Sequence, residues 1–104
     1  MNREEANMIG FEIVAFAGEA RSNLLQALNA AEKEDFIKAQ DLIKEADESI
    51  KEAHNTQTKM LAQEAAGEVV DVGFIMVHGQ DHLMTTVLLR DIIEHLINIY
   101  KKDT

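Results

Sequence analysis

The run His78-Gly79-Gln80-Asp81-His82 puts two imidazoles and a carboxylate within five residues of an otherwise strongly apolar stretch. Read in steps of three and four, Ile75, His78, His82, Thr85, Leu89, Ile92, Leu96 and Ile99 form one helical stripe that the pattern assigns to a core. A second stripe, Val77, Asp81, Met84 and Leu88, runs beside it, so Asp81 is also expected on packed surface. Buried polar groups are costly unless partnered. A glycine among them weakens the helix by a further ~1 kcal/mol relative to alanine. Stability has been given up here for a site.

Three chemistries fit the run. The plainest is packing, since a lone histidine on an apolar face is most often a satisfied core or interface residue; His54 and His95 are read that way. The second is a zinc site, because imidazoles at i and i+4 can chelate one metal and Asp81 could join them, although no third histidine or cysteine is placed to complete a tetrahedral shell. The third is covalent catalysis, with one histidine taking and passing on a phosphoryl group. Neutral imidazole is nucleophilic near pH 7. Such a carrier needs an exposed ring edge and room for a partner's loop, which Gly79 beside His78 would offer. His78 also lies near a helix start, where backbone N–H groups and the dipole favour added negative charge. His82, one turn on, would line the site.

The elements that must position this run are helices. The chain has no proline and one tyrosine, and Ala, Leu, Glu, Lys and Gln are abundant. A first helix is expected from about Glu4 to Glu32, with Ile9, Ile13, Phe16, Ala20, Leu24, Ala27 and Ala31 facing inward; Gly10 and Gly18 within it point to close helix packing. Lys33-Glu34-Asp35 reverses the chain, with Asp35 as N-cap. The second helix reads Phe36, Ala39, Ile43, Ala46, Ile50, Ala53, Gln57, Met60 and Glu64, stops at Gly67, and is linked by residues 68–73 to the third. The fold class is therefore all-α, an antiparallel three-helix bundle. The third helix is apolar over more than one face, and a three-helix monomer cannot cover it all. A homo-oligomer is expected.

Composition narrows the function. A chain of 104 residues, 46% hydrophobic and 28% charged, reads as a single domain over 1–104. It lacks any run long enough to span a bilayer, and Met1-Asn2-Arg3-Glu4-Glu5 is too polar to begin a signal peptide, which points to a cytoplasmic protein with no direct membrane insertion. Zero cysteines remove disulfides, thiolate metal sites and thiol nucleophiles. A net charge of -9 opposes nucleic acid as a partner.

The residues also carry a family resemblance. With Gly10-Phe11-Glu12-Ile13-Val14-Ala15, Ala20-Arg21-Ser22, Glu52-Ala53-His54, Gln57-Thr58 and the run from His78 to Thr86, the chain resembles the IIA component of the lactose/cellobiose class of the phosphoenolpyruvate-dependent sugar phosphotransferase system, over nearly its whole length. Gly79, with the opening Met1-Asn2-Arg3-Glu4-Glu5, resembles the lactose branch; cellobiose and chitobiose members tend to carry alanine there. The turn at Lys33-Glu34-Asp35 lacks the glycine often found in relatives, and the segment before the third helix lacks a common proline.

The resemblance implies a homotrimer with its third helices around the threefold axis, and His78 as the phosphorylated residue. HPr would donate the phosphoryl group, a cysteine of the IIB component would accept it, and the membrane permease complex would deliver it to lactose or a related β-disaccharide. Gln80 and His82 would orient or shield the group, and Thr85 would offer a hydroxyl. Asp81 is assigned to a metal on the axis, one Mg2+ per trimer. Electrostatics gives an independent reason: three carboxylates roughly 4 Å apart at an effective dielectric of about 20 repel by on the order of 4 kcal/mol per pair. A divalent cation with oxygen ligands, or protonation, would remove most of that. The alternative is a non-catalytic, metal-dependent helical oligomerisation module.

Overall fold

A computed structural model of the chain describes residues 1–102. Three helices follow one another, α1 (Arg3–Glu32), α2 (Phe36–Ala65) and α3 (Phe74–Lys102), with no strand among the described residues. The bundle is a rod of 53 × 20 × 17 Å. α1 lies in the middle and packs along both other helices, whereas α2 and α3 meet only sparsely. That asymmetry leaves α3 covered on one side.

The α1–α2 face is built mainly of alanine. Ala17, Ala20, Ala27, Ala39, Ala46 and Ala53 are fully buried, and side chains this small let two backbones approach closely. Larger residues fill two clusters, one around Leu24, Ile43, Ile93 and Ile97, the other around Ile13, Met60, Met76 and Leu83. The predicted inward stripe of α2 holds from Ala39 to Met60, except that Ser49 takes the buried place given to Ile50; Phe36 at its start is half-buried and Glu64 at its end is exposed, because the helix runs past its neighbours there. In α1, Ile9 and Phe16 are only half-buried, and Ala6, Gly10 and Ala17 occupy the core.

Helix boundaries follow local chemistry. Asn2 caps α1, its side chain accepting from the Glu5 N–H at 2.8 Å while Glu5 reaches back to the Asn2 N–H. Asp35 caps α2 by accepting from the Lys38 N–H at 3.2 Å. Glu34 adopts φ 63° in the turn, the left-handed conformation that glycine takes most readily. Gly67, at φ 91°, ends α2 as its position predicted. The linker is held by the chain's beginning: the Met1 ammonium donates to the Val69 carbonyl at 2.9 Å, the Asp71 N–H donates to the Met1 carbonyl, and Arg3 pairs with Asp71 at 2.9 Å.

The inward face of α3 differs from the expected one. Met76, Gly79, Leu83, Thr86, Ile93 and Ile97 are buried, a face turned roughly a quarter turn from the stripe through His78 and His82. The cause is the choice of core residues. Gly79 and Thr86 contribute no hydrophobic signal yet sit against α1, while large apolar residues populate the outside.

Candidate active site

α3 carries the polar run in its second and third turns and divides its members among different surroundings. Gly79 faces α1: a Cβ there would lie 3.0 Å from the Gly10 carbonyl oxygen, and a Cβ on Gly10 would lie 3.0 Å from the Met76 nitrogen. Gly79 therefore permits close helix crossing. It does not open space beside His78 for a partner's loop, as its position had suggested, because it is buried on the opposite side of the contact.

With Gly79 pointing inward, His78 is turned outward and its imidazole is exposed. The His82 ring lies one turn along, 5.9 Å away between centroids and tilted by 45°. His82 is half-buried and leans over α1, where its Nε2 is 3.6 Å from the point a Cβ of Gly18 would occupy. Its Nδ1 lies 3.5 Å from the hydroxyl of the buried Thr86. One imidazole is thus free and the other is fixed by packing. That arrangement suits a nucleophile with an ordered neighbour.

The remaining predicted residues are placed elsewhere. Gln80 turns toward α2, where its side-chain oxygen accepts from the Gln57 amide. Within one chain it is on the far flank of α3 from His78 and cannot shield that ring, because two residues along a helix face nearly opposite ways. The Thr85 hydroxyl donates to the Asp81 carbonyl at 2.9 Å, with the His82 carbonyl at 3.2 Å, so its proton is committed to the backbone. Asp81 is exposed and borders a groove with Arg21, Leu25, Thr85 and Leu88. Residues that the sequence reading placed outside the site now have parts in it: Gly18 admits the His82 ring, Gln57 holds Gln80, and Thr86 meets His82. Only Gly18 carried a signal, as a small residue inside a strong helix.

The donor set for a metal within one chain does not assemble. Among the described residues no three histidine or acidic side chains lie close enough to hold an ion, so the zinc reading of His78, Asp81 and His82 together fails on geometry. A metal at Asp81 alone needs the same side chain from other copies, and the exposed carboxylate is available for that. The exposed imidazole next to a packed one favours group transfer.

Comparison with known proteins agrees. A family model described as the lactose/cellobiose-specific IIA subunit of the PTS system matches residues 8–101. A lactose-specific EIIA component from Lactococcus lactis is 61% identical over 98% of this chain and 97% of its own length. The crystal structure of PtcA from S. mutans superposes with a TM-score of 0.94 at 39% identity, covering 97% of this chain and 99% of that one. A solution structure of the chitobiose IIA–HPr complex from Escherichia coli gives 0.77 at 33% identity, covering 98% and 96%. None of these favours a non-catalytic oligomerisation module.

Proposed function

From the premise that this chain belongs to the lactose/cellobiose-specific IIA family of the sugar phosphotransferase system, and so is a phosphocarrier component, we propose that His78 is the residue that carries the phosphoryl group. The observation behind this is the exposed His78 ring set beside a fixed His82. The donor is phospho-HPr, a reading supported by the related chitobiose IIA that forms a complex with HPr. The acceptor is the IIB component, and lactose is the transported sugar favoured by the names of the relatives.

In the transfer, the lone pair of one His78 nitrogen attacks phosphorus in line with the donor's P–N bond. That bond breaks and its electron pair returns to the donor imidazole. No net proton change is needed. The chain's task is positioning, for which a ring on a rigid helix, with an ordered neighbour one turn away, is suited. The positive end of the α3 dipole lies about one turn from His78 and favours the incoming dianion. Exposed Phe74, one turn before His78 on α3, gives docking proteins an apolar surface near the imidazole.

The assembled form is a homotrimer with α3 at its axis, supported by the row of exposed apolar residues Val77, Met84, Leu88, Ile92 and Ile99 along that helix. Three Asp81 carboxylates then converge. A divalent cation such as Mg2+ fits an all-oxygen set of this kind and would neutralise it. Thr85 and Gln80 contribute to the His78 site only if assembly brings them there from a neighbouring copy.

The test is incubation with phosphoenolpyruvate, enzyme I and HPr, followed by intact mass and site mapping. Wild type is expected to gain one acid-labile phosphoryl group per chain, and His78→Gln none. Failure of wild type to be labelled while the upstream proteins are active would overturn the reading.

A further inference from the structure

The outward face of α3 has an order beyond general hydrophobicity. Asp81, Thr85, Leu88, Ile92, His95 and Ile99 follow one another at alternating steps of four and three, and all six are exposed in the single chain. That alternation is the seam of a parallel coiled coil, in which each position meets its own copies in a layer across the axis. Asp81 and His95 are two heptads apart on this seam, about 21 Å along the helix. They hold the same register, so a parallel threefold assembly that follows this seam and brings the Asp81 side chains together brings the His95 side chains together too.

His95 is flanked by Ile92, at 46% exposure, and Ile99, at 56%, one step to either side on the seam. Among the described residues, no hydrogen bond, ion pair or ring contact occupies it. Closing the seam would place three imidazoles in an apolar layer, each needing a partner for its ring nitrogens. Asp91, one turn earlier, is exposed and makes no bond to another described residue, so a carboxylate stands near for a ring N–H.

Resting on the trimer reading above, we propose that His95 forms a second axial site, in which one imidazole nitrogen from each of three chains binds a single divalent transition metal such as zinc. Three neutral imidazoles with an open fourth position are a ligand set that Zn2+ accepts, and the softer nitrogen donors distinguish this site from the all-oxygen layer at Asp81. The site does not exist in one chain. It forms only on assembly, so the metal would bind the trimer and not the monomer, holding α3 at the end remote from the phosphoryl-transfer residues.

Zinc chloride titration of the intact chain, followed by native mass spectrometry and sedimentation, tests this. In an Asp81→Leu background, which removes the carboxylate layer, trimers are expected to bind one zinc ion per three chains that the Asp81→Leu/His95→Leu trimer does not bind. In wild type, the His95 ring resonances are expected to shift with saturation at one third of an equivalent. Equal zinc uptake by the two variants, or unmoved His95 resonances in a wild-type trimer, would overturn the His95 site and leave the trimer standing. A chain that sediments as a monomer would overturn the trimer reading and this inference together.

Discussion

The two long faces of this molecule solve opposite problems. Between α1 and α2, alanines at 0% exposure bring two backbones together and are closed to any other molecule. Along the outside of α3, Leu88 at 58% exposure and Ile92 at 46% stand unpaired in the single chain. The contrast locates function. The closed face makes a stiff rod, and the open face, which begins beside His78 and runs along α3, is the surface on which the proposed trimer would form. A single helix serves both by burying small and polar residues, Gly79 and Thr86, and exposing large ones.

Opposite substitutions on the two faces should therefore break different things. Ala20→Phe forces a large ring into a fully buried alanine site and is expected to cost about 3 kcal/mol or more, a large share of a small domain's stability. Circular dichroism melts would show it. Leu88→Lys should leave the helical spectrum of the chain intact while abolishing the proposed trimer in sedimentation. Loss of helix in Leu88→Lys at high dilution, or a surviving trimer, would mean that the open face has been misassigned.

Asp81→Leu sharpens the same contrast in the reverse direction. If three carboxylates converge on the seam, removing them relieves repulsion on the order of several kcal/mol. The variant trimer is expected to withstand a metal chelator and to melt no lower than metal-loaded wild type. Dissociation of Asp81→Leu into monomers would show that the carboxylate is needed for assembly.

Between the two faces lies the α1–α3 crossing, where effects should be smaller. Gly10→Val introduces atoms against backbone, with a Cβ only 3.0 Å from the Met76 nitrogen and 3.1 Å from the Ile75 carbonyl carbon, and should cost about 2 kcal/mol. Gly79→Ala meets the Gly10 oxygen at 3.0 Å but gains helix propensity of about 1 kcal/mol. The two contributions oppose each other, so its melting temperature should move by a few degrees at most. Phosphorylation of His78 should persist in Gly79→Ala, because the exposed ring is on the other side.

How much of this was readable from the residues depended on how each helix is used. α2 has one apolar stripe and one solvated face, so its core positions from Ala39 to Met60 followed from spacing, with Ser49 for Ile50 as an exception, while Glu64, given the same phase, is exposed at the helix end. α3 has apolar residues around most of its circumference, so spacing has no unique phase; the inward face assigned through His78, His82 and Leu89 was displaced by about a quarter turn. The surplus of apolar surface was still legible, because it depends on how many large residues there are and not on where they point. At the candidate site, His78 and His82 stand out by residue type and spacing, and the structure adds their unequal exposure. The pairing of Gln80 with Gln57 was not legible, since it depends on which flank of α3 meets α2. The Asn2 and Glu5 capping box was present in the residues and was passed over.

The smallest expected effect lies in the turn where α1 gives way to α2. Glu34 adopts φ 63°, a conformation in which a Cβ crowds the following carbonyl and which costs most residues about 1 kcal/mol or more. Its backbone N–H bonds to the Ala31 carbonyl and that of Asp35 to the Ala30 carbonyl, so the turn is fixed by α1 and cannot relax to escape the strain. Glu34→Gly removes the Cβ but also gives the unfolded chain more freedom, which offsets part of the gain. The net is an expected stabilisation of about 0.5–1 kcal/mol, measured as a rise in the denaturant midpoint at unchanged slope. Because the turn belongs to the closed α1–α2 side and lies far along the rod from His78, phosphorylation and oligomeric state should be untouched. A change in either would mean that the two faces are coupled through α1, and that the division of labour between them is less complete than their exposures indicate.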